Sequence, residues 1–299
     1  MDYHQPVLVQ EVMVALDVKS GGRYIDATLG DGGHTLELLK RGGVVLGIDV
    51  NEGSINRARG RIQGAGLAGN FTYCRGNFKN IAELARDRGF NQVNGIVFDL
   101  GTSMTQLKDD RLGLNFTSEH ELDMRLDDRD SVKAFDLING LYENELAELF
   151  WEYGEEKMAK SFAREIVKAR ELERITTAKQ LSDVAKKSFP GYEKGRLHPA
   201  TRIFLALRIA VNNELENLKS ALPRAGCLLV PGGRMAVISF HSLEDRIVKE
   251  FVQDTQPTKD GLLLTELTKK PIEPSNIELA RNPSSRSAKM RVVVRAHRS

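Results

Sequence analysis

Short apolar runs, each closed by a glycine or an acid, alternate along the chain with longer stretches in which apolar residues recur at steps of three and four. The short runs predict strands and the long stretches helices, and their alternation predicts a doubly wound, mostly parallel sheet. Tyr24-Ile25-Asp26-Ala27 leads, followed by Val44-Val45-Leu46-Gly47-Ile48, Phe71-Thr72-Tyr73-Cys74 and Gly95-Ile96-Val97-Phe98-Asp99-Leu100. A fifth run, Arg234 to Phe240, stands behind the turn Pro231-Gly232-Gly233, and a last one covers Met290 to Val294. The unbroken apolar character of the fourth run predicts burial on both faces. Ligands in such sheets bind at the carboxyl ends of strands, which collects Gly30 to His34, Asp49, Phe78, Asp99 and His241 along one rim.

From about Lys108 to Gly195 the pattern becomes charged and helical, too long for a connection and too periodic for a linker. This predicts an inserted helical domain, 108–195, within a discontinuous α/β domain made of 1–107 and 196–299. Inside the insert Met158, Phe162, Ile166 and Ala169 form an apolar stripe that reads as core. Lys157, Lys160, Arg164 and Lys168 form a basic stripe that reads either as a solvated face or as an RNA-backbone contact. After the insert, Phe204, Leu207, Val211, Leu215, Leu218 and Leu222 share one helical face, predicted to pack on the sheet. Arg208 and Asn212 fall on another face, read as surface.

The chemistry begins where the first strand breaks into Thr28-Leu29-Gly30-Asp31-Gly32-Gly33-His34. Gly30, Gly32 and Gly33 remove side chains just before a helix-forming run, so that backbone can approach a ligand. Asp49 closes the second strand, where an acid can hold ribose hydroxyls. A dinucleotide fingerprint needs a third glycine where Thr35 stands, and His34 crowds the helix start that a pyrophosphate would occupy. The pattern D-x-x-x-G-x-G-G, Asp26 to Gly33, suits S-adenosylmethionine instead, whose ammonium and sulfonium charges favour carbonyls and carboxylates. A glycine turn that merely joins strand to helix is the plainer alternative.

Net charge changes the picture little: 43 basic against 41 acidic residues leave +2, so a nucleic-acid partner must be argued from local clustering. Such a cluster lies at the C-terminus, where Arg281, Arg286, Lys289, Arg291, Arg295 and Arg298 occur without an acid and Asn282, Ser284 and Ser285 add short donors. Solvated strand side chains are the alternative for part of it. Two cysteines, Cys74 and Cys227, fit a reducing cytoplasm and no disulfide framework. No apolar run reaches membrane-spanning length. No metal is implied, because the acids Asp109, Asp110, Asp123, Asp127, Asp128 and Asp130 match no calcium-loop spacing.

Seven ordered blocks resemble the ribosomal RNA small subunit methyltransferase H family, also called MraW. They are His4-Gln5-Pro6-Val7-Leu8, the glycine loop, Asp99-Leu100-Gly101-Thr102-Ser103, Gln106-Leu107, His198-Pro199-Ala200-Thr201-Arg202, Ser239-Phe240-His241-Ser242-Leu243-Glu244-Asp245 and Asn282 to Lys289. The chain departs from the family pattern at Thr102-Ser103-Met104-Thr105 and at Arg111 to Phe116, in the loop entering the insert. The resemblance implies a Rossmann-like S-adenosylmethionine-dependent methyltransferase sheet with an inserted helical domain that recognises substrate. It implies methylation of N4 of a cytidine in the decoding region of 16S ribosomal RNA, within the small ribosomal subunit. It further implies cofactor contacts at Gly32, Gly33, His34, Asp49, Phe78, Asp99 and Gln106.

For such a reaction Asp99 and His241 are the expected catalytic residues, as acceptors near the amine, and Asn282, Ser284, Arg286 and Lys289 the expected RNA contacts. Asp99-Leu100-Gly101 replaces the Asn-Pro-Pro-Tyr type of motif, so the base-stacking ring is expected elsewhere, at Phe240 or in the insert. A methyltransferase for a small molecule or protein, or a non-catalytic ribosome assembly factor, are the alternative readings.

Overall fold

The structure, a computed structural model, describes residues 5–189, 198–253 and 263–296. Among the described residues, seven strands form one sheet: β1 (Arg23–Asp26), β2 (Val44–Asp49), β3 (Phe71–Arg75), β4 (Val93–Asp99), β5 (Leu229–Ser239), β6 (Leu264–Glu266) and β7 (Lys289–Arg295). Their order is β3-β2-β1-β4-β5-β7-β6, with β1 to β5 parallel and β7 antiparallel to both neighbours. The chain leaves β1 toward β2 and β3, then returns to β4 on the other side of β1. This reversal makes the switch-point crevice in which α/β sheets bind ligands. The Rossmann-like sheet expected from the apolar runs is therefore present.

Four helices precede the end of β4: α1 (Val9–Ala15), α2 (Gly33–Lys40), α3 (Glu52–Gly64) and α4 (Ile81–Asp87). Six follow it, α5 (Met104–Leu107), α6 (Ala134–Gly140), α7 (Glu143–Gly154), α8 (Ala159–Leu172), α9 (Ala178–Lys187) and α10 (Thr201–Asn212). Last come α11 (Glu214–Leu228), α12 (Ser242–Gln253) and α13 (Asn276–Arg281). Among the described residues, no helix is long and apolar enough to cross a membrane.

One compact unit consists of Met1–Gly101 and Leu215–Ser299 and holds the whole sheet. Tyr24, Val45, Val97, Ala236, Ile238 and Val292 from the strands meet Leu8, Val12, Met13 and Leu16 in one of its cores. Both faces of β4 are buried, as its apolar continuity predicts. Pro231-Gly232-Gly233, read as a turn before β5, lies inside it. The pairing slips from Val93 opposite Leu229 to Gly95 opposite Arg234, and Gly232 absorbs the irregularity at φ 78°.

The second unit, Thr102–Glu214, is helical around Leu122, Phe150, Phe162, Ile166, Leu181 and Leu207. Its limits are wider than 108–195, and so differ from the expected 1–107 and 196–299 division at both ends. The reason lies in α10. Ile203, Phe204, Leu207 and Val211 bury themselves among the helices of this unit, whereas Leu215, Leu218 and Leu222 belong to α11. The apolar stripe reads straight through Asn213, yet the backbone there turns left-handed at φ 53°, which Asn tolerates, and the helix ends.

Arg208 and Asn212 are not surface residues either. Arg208 grips Glu214 through two nitrogens at 2.8 and 2.9 Å, and Asn212 Nδ2 donates to the Met124 carbonyl at 2.9 Å. The acids of this unit pair locally in Asp-x-Arg turns, Asp109 with Arg111, Asp123 with Arg125 and Asp127 with Arg129.

Candidate active site at the strand ends

Asp26, the last residue of β1, is buried, and its carboxylate accepts from Thr35 Oγ1 at 2.7 Å. Burial pushes its pKa up, opposed by the His34 charge and the Thr35 hydrogen bond. The loop that follows turns twice through the left-handed region, at Gly30 (φ 50°) and Gly32 (φ 75°).

The three loop glycines serve different ends. At Gly30 a Cβ would meet nothing closer than the Thr28 carbonyl at 3.8 Å, so this position is open. At Gly32 it would press on Ala58 Cβ at 3.0 Å, and at Gly33 it would strike Pro6 Cγ at 2.6 Å. Gly32 and Gly33 thus admit α3 and the N-terminal segment, where the sequence suggested ligand access.

Asp49, at the end of β2, receives the Gly30 amide on Oδ2 and the Asn51 amide on Oδ1, both at 2.8 Å. Burial raises its pKa to about 6, against the lowering effect of those amides. Each carboxylate oxygen keeps a second lone pair for a further donor. Phe78 follows β3 and sets its ring edge-on to Phe98 of β4, with centroids 5.7 Å apart.

Asp99 ends β4. Its amide donates to Thr28 Oγ1 at 2.6 Å, and its Oδ2 lies 3.2 Å from Nε2 of His34, in the first turn of α2. Burial alone would lower the His34 pKa, but the hydrogen bond to Asp99 and the Asp99 and Asp26 charges outweigh it and leave the imidazole above its ordinary value. Two atoms of this pair, Asp99 Oδ1 and His34 Nδ1, are buried without a hydrogen-bond partner among the described residues. Native proteins rarely leave such atoms unpaired, and they are the positions a ligand would satisfy.

Beside them, Gly101 (φ 94°) stands next to Phe240, whose ring would be 3.7 Å from a Cβ at 101. His241 and Glu244 form a cap on α12: Glu244 Oε2 accepts the Phe240 amide at 2.8 Å, and His241 Nδ1 accepts the Glu244 amide at 3.4 Å. Its Nε2 lies 3.2 Å from Glu244 Oε1 and is buried without a hydrogen bond among the described residues. Glu244 thus holds His241 just beyond the end of β5. The H-x-x-E spacing that produces this cap was legible in the sequence.

Gln106 belongs to the helical unit, where it closes a capping box with Ser103. Its Oε1 accepts the Ser103 amide at 2.8 Å, and Ser103 Oγ accepts the Gln106 amide at 3.2 Å. The C-terminal residues divide. Arg281, Arg286 and Lys289 are exposed, whereas Arg291 is buried on Asp245 at 2.7 Å and Arg295 donates to the Leu229 carbonyl. Arg298, like His4 and Gly195, lies outside the described residues.

Asn282 is buried, donates Nδ2 to the Gln5 carbonyl and accepts Ser284 Oγ. Asn282 therefore fastens the N-terminal segment, and Ser284 supports Asn282. Glu278 completes this clasp by accepting the Leu8 amide at 2.8 Å. Sequence reading missed Thr28, Pro6 and Glu278, because each matters only through a partner distant along the chain.

The acids Asp26, Asp49 and Asp99 repel a pyrophosphate and favour a ligand with positive charge, while open Gly30 and Asp49 offer it contacts. These residues fit S-adenosylmethionine. Sheet order, glycine loop and strand-end carboxylates define the class, a Rossmann-like methyltransferase.

The particular family follows from comparison. A model of the MraW methylase family matches residues 1–296. The ribosomal RNA small subunit methyltransferase H of Deinococcus radiodurans is 46% identical, covering 98% of this chain and 90% of its own. Proteins of the same name from Thermomicrobium roseum (43% identical, 98% and 93% covered) and Persephonella marina (42%, 98% and 99%) are also similar throughout. The chain belongs to the MraW methylase family.

Proposed function

We propose that this protein transfers a methyl group from S-adenosylmethionine to N4 of a cytidine in the decoding region of 16S ribosomal RNA, in the cytoplasm and within the small subunit. The observation that carries this reading is Asp99 at the end of β4, with Oδ1 buried and unpaired beside the glycine loop. Support comes from the name shared by the relatives, ribosomal RNA small subunit methyltransferase H.

Bound at the switch point, S-adenosylmethionine supplies an electrophilic methyl carbon on a sulfonium. The protein's residues bind and orient. Asp49 accepts the ribose hydroxyls, Phe78 lies against the adenine, and Gly30 lets the backbone come close.

The amine nitrogen's lone pair is delocalised into the pyrimidine ring, and an acceptor at Asp99 Oδ1 favours the pyramidal form in which it is available. That lone pair forms the C–N bond as the S–C bond breaks with its electrons left on sulfur. The nitrogen then holds one proton too many, which Asp99 is placed to take.

Phe240, beside Gly101, provides the ring on which the extruded base stacks, and exposed Arg281, Arg286 and Lys289 track phosphates. The helical unit recognises the surrounding RNA.

Nucleoside mass spectrometry of 16S ribosomal RNA from cells lacking this gene tests the reading. Loss of one N4-methylcytidine, restored by the wild-type gene, is expected; an unchanged methylation profile would overturn it.

A further inference from the structure

A carboxylate that must present one oxygen to an amine has to be prevented from turning. Rotation about the last side-chain bond of Asp99 swings the carboxylate plane and with it the direction of its free lone pairs, and that bond is soft in free aspartate. In this fold the rotation is resisted from one side. Oδ2 is tied to Nε2 of His34 at 3.2 Å, the Asp99 amide is tied to Thr28 at 2.6 Å, and Oδ1 is left buried without a partner.

His34 is itself well held. It is 3% exposed in the first turn of α2, a helix that starts from left-handed Gly32 and is covered at Gly33 by Pro6. That segment is in turn clasped through Gln5 and Leu8 by Asn282 and Glu278.

We propose that His34 is a positioning residue, whose Nε2–H fixes Oδ2 of Asp99 so that Oδ1 alone meets the amine. This rests on the reading of Asp99 as the amine's acceptor and assigns to the His34 side chain a task other than touching the methyl donor. The logic inverts the familiar hydrolase arrangement, in which an aspartate orients a histidine. The groups that bear on the imidazole come from three elements, Asp99 on β4, Asp26 on β1 and Glu278 on α13. All are acidic, so the ring is kept as a donor toward Asp99 around neutral pH.

Glutamine can reach with a donor where histidine has Nε2, whereas asparagine is too short; the two variants separate the hydrogen bond from mere occupancy. The experiment measures kcat, KM and calorimetric Kd for S-adenosylmethionine in wild type, H34Q, H34N and H34A, using small-subunit ribosomal RNA as acceptor. A second readout, independent of turnover, is the histidine NMR titration of the ligand-free wild type and D99N.

With His34 as positioner, H34Q keeps kcat within about fivefold while H34N and H34A lose about a hundredfold or more, and Kd stays within about threefold in all three. In the NMR titration the His34 midpoint falls by about one pH unit or more in D99N. Equal losses in H34Q and H34N, losses of Kd that parallel kcat, or a midpoint unmoved by D99N would each overturn the inference. A wild-type protein that methylates no ribosomal RNA would instead refute the proposed function, and the NMR result would still decide whether His34 and Asp99 are paired.

Discussion

The amide of Gly30 and Oδ2 of Asp99's counterpart on β2, Asp49, lie 2.8 Å apart, so the turn after the first strand is fastened to the end of the second. This bond keeps a carboxylate at the mouth of the crevice and lowers its pKa, but burial outweighs it and raises the pKa to about 6. Ribose hydroxyls prefer the ionised form, so binding competes with a proton. Affinity for S-adenosylmethionine is expected to be full above about pH 6 and to fall about tenfold per unit below it. Calorimetry between about pH 5 and about pH 7.5 checks this. Asp49→Asn, which does not titrate there, should bind weakly at the upper end with a flat profile below.

The glycines divide between fold and ligand. Alanine at Gly30 or Gly32 must adopt a left-handed backbone, costing roughly 1–2 kcal/mol in either case. Gly32→Ala also presses on Ala58 at 3.0 Å, so it should be the less stable of the two in urea denaturation. Gly30→Ala should show its larger effect on cofactor affinity. The reverse ranking would mean that the loop does not face its ligand at Gly30.

Thr28 contributes through a single bond, from the Asp99 amide to its hydroxyl at 2.6 Å. Valine is nearly isosteric but cannot accept it, leaving a buried N–H unpaired. Thr28→Val should lose about 1–3 kcal/mol of stability, and Thr28→Ser should recover most of it. A neutral Thr28→Val would show that this amide finds another partner.

The basic C-terminus should split by burial. Arg286→Ala and Lys289→Ala are each expected to weaken RNA binding and to reduce the slope of log affinity against log salt by about 0.7–0.9, with cofactor affinity unchanged. Arg291→Ala removes a buried guanidinium from half-buried Asp245 and should instead destabilise the fold, by about 1–3 kcal/mol. Filter binding over a salt series, beside thermal melts, separates the two outcomes.

Much of the sheet was legible because buried parallel strands must be continuously apolar. Val44–Asp49 could be read to within a residue, and Val93–Asp99 to within two at its start. β6, three residues at an edge, carries no such pattern and was invisible.

The helix from Thr201 was seen but given the wrong partner, since periodicity tells which face is apolar and not what covers it. In the site, glycines and acids announced themselves by type and spacing. The meaning of Gly33 did not, because Pro6, which fills its missing Cβ, arrives from another part of the chain.

In the proposed reaction the strand-end crevice around Asp99 delivers a methyl group to a cytidine amine. The most direct measurement incubates the purified protein with isotopically labelled S-adenosylmethionine and small-subunit ribosomal RNA from cells lacking the gene, followed by nucleoside mass spectrometry. The account predicts labelled N4-methylcytidine at one position with wild type, and its loss with Asp99→Asn although the cofactor still binds. Label on another atom or nucleoside, or an Asp99→Asn protein as active as wild type, would contradict it.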